Sequence, residues 1–105
     1  MEKVDSPTEL RKWFSDQNSA WAAQSITAHL KLPESPELNK ATVTFEAATH
    51  LGIVTVWGGG TLEIIALDLA TKKEVLFRHH EYSTPEELRL LLDECSRAFS
   101  ELAAG

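Results

Sequence analysis

The sequence predicts an α+β fold: a two-layer sandwich in which an antiparallel meander sheet of four or five strands carries an N-terminal and a C-terminal helix on one face. Three observations support this. A helix-start signature, a hydroxyl residue, proline and then glutamate, occurs at residues 6–9 and again at 84–87, near the two ends of the chain. Between them lie short runs of alternating or β-branched apolar residues. The links between those runs are short, which pairs consecutive strands antiparallel. The 105 residues, 43 % hydrophobic and 25 % charged, suit a single domain over 1–105 with one modest core.

The first helix is expected over residues 7–23. Ser6 caps it, Pro7 takes the first helical position and Glu9 closes a capping box, while Leu10, Trp13, Phe14 and Trp21 recur at helical spacing as core positions. Residues 25–32 form a strand with Ile26, Ala28, Leu30 and Leu32 on one side. Pro33 and Pro36 then force a turn, continued as a loop through Lys40. A clear alternating strand follows over 42–47, with Val43, Phe45 and Ala47 on one face and Thr42, Thr44 and Glu46 on the other. The run 52–57 is apolar on both sides, as in a central strand. Gly58, Gly59 and Gly60 make a hairpin turn into the next strand, 62–68. After a polar turn at 68–73 comes a strand over 74–82, in which Leu76, Arg78, His80 and Tyr82 oppose Val75, Phe77, His79 and Glu81. The last helix spans 85–102, with Leu88, Leu91, Leu92, Cys95, Phe99 and Leu102 on one stripe.

Charge narrows the partners. Ten basic residues against sixteen acidic ones give a formal net charge of −6, which disfavours nucleic acid and anionic membrane surfaces and suits either a basic protein partner or simple solubility. Cys95 is the only cysteine, so no internal disulfide forms. With no apolar core in the opening MEKVDSPTEL and no run long enough to span a bilayer, a cytoplasmic location is expected.

No catalytic, cofactor or metal constellation emerges, and a non-enzyme is expected. His79 and His80 are neighbours in a strand and point to opposite faces, so they cannot share a metal. The three glycines lead into a strand rather than a helix N-terminus, which is wrong for a phosphate loop. Cys95 sits on an apolar helix stripe as a small buried thiol would, and the carboxylates form no inward pair. Trp57 has two readings. It ends a strand beside a glycine turn expected to be mobile, which suits a binding anchor, and it equally suits closure of one end of the core.

Several of these segments together resemble a known family. They are Leu10-Arg11-Lys12-Trp13-Phe14, the run from Val54 through Trp57 to Gly60, the strand Leu62 to Asp68, and Arg78 to Leu88 with its His-His-Glu-Tyr and Glu-Glu-Leu. This pattern is similar to that of the TriTu family of bacterial immunity proteins. The resemblance implies an antitoxin that neutralises a cognate ADP-ribosyltransferase toxin, delivered between bacteria and directed at elongation factor Tu, by covering the toxin's active site. The alternative is a small acidic chaperone or adaptor that binds an extended partner segment on the sheet face or edge. For the immunity role, the expected contact surface is the open sheet face with the glycine hairpin. Glu46, Glu63, Arg78 and His80 are expected there as outward polar strand residues, with Trp57 as the anchor; the loop 33–40 is the competing site.

Overall fold

A computed structural model describes residues 6–32 and 40–104. Helix α1 (Ser6–Ala23) is followed by strands β1 (Thr27–Lys31), β2 (Lys40–Glu46), β3 (His50–Trp57), β4 (Thr61–Asp68) and β5 (Glu74–Glu81), then by helix α2 (Pro85–Ala104). All neighbours pair antiparallel in the order β1-β2-β3-β4-β5, so the expected meander has five strands. The capping side chain expected at Ser6, and the turn and loop expected at 33–39, lie outside the described residues; Lys40 already belongs to β2.

Local chemistry explains the helix ends. At the start of α2 the Glu87 amide donates to Thr84 Oγ1 at 3.1 Å, and the Thr84 hydroxyl donates to Glu87 Oε1 at 3.4 Å. This satisfies an amide that has no partner inside the helix. At the end of α1 the Ile26 amide donates to the Trp21 carbonyl and the Ser25 amide to that of Ala22, with Ser25 at φ 61°. That left-handed residue, usually glycine, reverses the chain and drops Ile26 into the core.

Both helices lie on one sheet face, α1 over β1–β3 and α2 over β3 and β4. The core between the layers holds Leu10, Trp13 and Trp21 of α1, Leu88, Leu92, Cys95 and Phe99 of α2, and the inward residues of β2, β3 and β4. Phe45 is central. The Trp21 ring meets it edge-on at 5.0 Å between centroids, and Phe99 stacks on it at 5.3 Å. Directly opposite Phe45 in the β2–β3 ladder is Gly52, where a Cβ would fall 2.7 Å from Phe99 Cδ1. Glycine at this position lets α2 lie close against the sheet. The helices are tied to each other by polar contacts: Trp13 Nε1 donates to Asp93 Oδ1 and Trp21 Nε1 to Ser96 Oγ, each at 2.9 Å. Arg89 also reaches Glu9 at 3.8 Å and Asp16 at 3.6 Å.

Candidate functional site: the open sheet face

Among the described residues, the helices cover one side of the sheet and leave the other bare. The registers place the bare side residue by residue. Successive cross-strand rows read Lys40–Trp57–Thr61–Glu81, then Thr42–Thr55–Glu63–His79, then Thr44–Ile53–Ile65–Phe77, then Glu46–Leu51–Leu67. Strand β1 adds Thr27, His29 and Lys31 beside β2. The face therefore has two halves. Over β1 and β2 it is polar and rich in threonine. Over β3 to β5 it carries an apolar patch built from Leu51, Ile53, Ile65, Leu67 and Phe77, bordered toward Trp57 by the polar Thr55–Glu63–His79 and Thr61–Glu81 rows. Ile53 is 39 % and Phe77 53 % exposed. Clustered apolar side chains on a bare face mark a contact surface more than isolated ones do.

The β3 and β4 rows border a depression of about 90 Å³ lined by Leu51, Ile53, Thr55, Glu63, Ile65 and Leu67. A histidine–carboxylate pair sits on each flank of the face, each with 3.7 Å between the nearest nitrogen and oxygen: His29 with Glu46 on one side, His79 with Glu63 on the other.

Of the five residues expected at the interface, Glu46, Trp57 and Glu63 share the open face. Arg78 and His80 do not. Their ladder partners are Ile64 and Leu62, both fully buried under the helices, so Arg78 and His80 point to the helix side. Arg78 is near enough to Cys95 of α2 to influence its ionisation. They stay polar because the helices pack mainly over β1–β4, so that at edge strand β5 Arg78 remains exposed and His80 only partly buried. The residues that β5 presents to the open face are Phe77, His79 and Glu81. Adjacent His79 and His80 do take opposite faces, as strand alternation requires.

Trp57 is half-buried on the open face, with the Lys40 ammonium 5.8 Å from its ring centroid, a cation–π pairing. The glycine turn after it, expected to be mobile, is fastened on both sides. The Gly60 amide donates to the Trp57 carbonyl at 3.1 Å, the Tyr82 amide donates to the Gly60 carbonyl at 2.9 Å, and the Tyr82 hydroxyl donates to the Trp57 carbonyl. Gly60 has φ 105°, and a Cβ there would meet the Tyr82 carbonyl at 2.8 Å. Trp57 is thus held on a fixed backbone at one end of the face.

Sequence reasoning missed Leu51, Ile53, Ile65, Leu67 and Phe77 as surface residues. The signal was present: strands apolar on both sides, in a chain with only enough helix to cover one. Burial pushes the Cys95 thiol up from 9.0 to about 12, with Arg78 opposing and Glu94 adding to the effect, so it remains a protonated core group.

The family model described as immunity protein TriTu matches residues 8–98. The chain belongs to the TriTu immunity protein family. The match runs from the first helix to the body of the last and so takes in every strand of the open face. No curated protein matches the chain. No helix among the described residues is long and apolar enough to cross a membrane.

Proposed function

We propose that this TriTu family member neutralises a cognate bacterial toxin, an ADP-ribosyltransferase, by binding it stoichiometrically through the open sheet face and covering its active site. The observation that carries this reading is the uncovered apolar half-face of Leu51, Ile53, Ile65, Leu67 and Phe77, set beside the carboxylates Glu46 and Glu63. Such a face supplies the dry centre and polar rim of a protein interface. Its side chains stand at fixed spacing on a five-stranded sheet, so little ordering entropy is lost on binding. The net charge of −6 steers it toward basic groups, which an enzyme holding a negatively charged dinucleotide must carry.

The alternative, a chaperone or adaptor that binds an extended partner segment on the sheet face or edge, has weaker support at the β5 edge. Edge strand β5 shifts register against β4 between Ala66 and Leu67 of that strand and carries Arg78, His79, His80 and Glu81 in a row, features that discourage strand addition.

The test pairs this chain with an ADP-ribosyltransferase toxin sought in the reading frame next to its gene. Co-expression rescues growth, and the purified chain blocks transfer of ADP-ribose to elongation factor Tu at one equivalent. Rescue without inhibition of the transfer reaction rules out active-site covering. No rescue and no complex rules out the pairing.

A further inference from the structure

We infer that the depression between β3 and β4 is a seat for one arginine side chain of the protein partner, with Glu63 receiving the guanidinium. The inference rests on the open face being the binding surface and names the chemistry that it recognises.

Three cross-strand pairs form the seat: Leu51 with Leu67, Ile53 with Ile65, and Thr55 with Glu63. The first two pairs make an apolar trough, and the third closes one end with a hydroxyl and a carboxylate. A two-residue step along the strand leads from the Ile53–Ile65 pair to the Thr55–Glu63 pair, about 7 Å at strand rise. That matches a long side chain whose apolar stem lies on the isoleucines while its head reaches the carboxylate. Lysine and arginine both bury their stems along apolar surfaces in this way. At about 90 Å³ the depression holds one side chain rather than a helix or a cofactor.

The state of Glu63 selects a cation for the end position. Its side chain is only 27 % exposed, and its contact is the 3.7 Å approach of His79 Nδ1, too long for a hydrogen bond. A partly buried carboxylate with lone pairs to spare is better satisfied by a bidentate donor than by this imidazole. Arginine supplies two parallel N–H donors in the geometry a carboxylate accepts, and its flat, weakly hydrated head is less costly to desolvate than an ammonium. Thr55 Oγ1, beside Glu63 on the same face, is placed to accept a third N–H.

The experiment uses the full chain with methyl groups labelled for NMR and titrates N-acetyl-arginine-N-methylamide as the probe, with the neutral isostere N-acetyl-citrulline-N-methylamide as control. The arginine probe shifts the Ile53 and Ile65 methyl resonances saturably in the millimolar range, and the citrulline probe leaves them unmoved. Glu63→Gln weakens the arginine effect about tenfold while the circular dichroism spectrum is unchanged. Equal shifts from both probes, or arginine shifts confined to other surfaces, overturn the seat. With the toxin itself, Glu63→Gln weakens binding and Glu63→Asp restores part of it. Undiminished binding by Glu63→Gln overturns the arginine seat and leaves the immunity reading standing. A wild-type chain that binds no toxin overturns the immunity reading, while the titration still decides the seat.

Discussion

The hydroxyl of Tyr82 donates to the carbonyl of Trp57 across the glycine hairpin, joining the start of the last connection to the end of β3. Tyr82 is 4 % exposed and also takes the Gly60 carbonyl with its own amide at 2.9 Å. One residue therefore fixes the backbone on both sides of the turn, and Trp57 gains a rigid mount on the open face. Tyr82→Phe removes the hydroxyl but leaves the Trp57 carbonyl its 3.1 Å bond from the Gly60 amide. The expected loss is therefore modest, about 0.5–1.5 kcal/mol in urea unfolding. Gly60→Ala is expected to cost more than Tyr82→Phe, because it meets both an unfavourable φ and the Tyr82 carbonyl. The opposite ranking would mean that the hydroxyl, not the turn conformation, holds the hairpin.

The close approach of Phe99 to Gly52 makes a second prediction. Gly52→Ala places a methyl group 2.7 Å from the Phe99 ring, and a packed core resists such an insertion by roughly 1–3 kcal/mol. Phe99→Leu alone opens space and also destabilises. The double variant should be more stable than the sum of the two losses predicts, because the smaller side chain makes room for the methyl. A strictly additive double variant would show that the two sites do not share this contact.

Cys95 should be inert to thiol reagents at neutral pH in the folded chain and should react at the rate of unfolding. Its folded value is raised by burial to about 12 from 9.0, so the fold favours the protonated form. The stability this group contributes is fully present below pH 9 and is lost as pH rises from 9 through 12. Cys95→Ser should flatten the part of the alkaline stability loss that falls in this window. Rapid alkylation at neutral pH under native conditions would contradict the burial of the thiol.

Separating binding from stability is the sharpest use of the open face. Ile53 and Phe77 are 39 % and 53 % exposed, so Ile53→Asp and Phe77→Ser should shift the unfolding midpoint only slightly. Both should weaken toxin binding by more than tenfold, about 1.4 kcal/mol or more. Leu92→Ala, on the covered side and fully buried, should instead cost about 2–5 kcal/mol of stability and leave the affinity of the folded fraction unchanged. Retained affinity in both surface variants would exclude the apolar half-face.

Much of this architecture is legible in the residues. Thr84-Pro85-Glu86-Glu87 announces α2 because capping is local chemistry, and Thr42 to Glu46 announces β2 because alternation is local geometry. The face assignment of β5 is not local. Alternation divides Arg78 and His80 from Phe77 and His79, but which pair meets the helices depends on the β4 register and on how far the helices reach. Hydropathy points the wrong way there, because an edge strand at the rim of the helix layer can keep polar residues on its inner side. The stop of α1 at Ala23 agrees with the expected bound, whereas the left-handed turn at Ser25 just beyond it has no strong sequence mark, because the residue is not glycine. Of the five residues expected at the interface, Glu46 and Glu63 take the open face that strand alternation assigns them, and Trp57 joins them at the strand end beside the glycine turn. The apolar trough beside Glu63 needed the β3–β4 register, which aligns Ile53 with Ile65.

The most direct measurement is a methyl-detected NMR footprint of the labelled chain bound to its toxin, using a soluble paramagnetic agent to report which methyl groups lose solvent contact. The open-face account predicts that Leu51, Ile53, Ile65 and Leu67 become protected, while Leu90, 66 % exposed on α2, keeps its exposure. Protection of Leu90 with Ile53 and Ile65 still open to solvent would contradict it and move the interface to the helix layer.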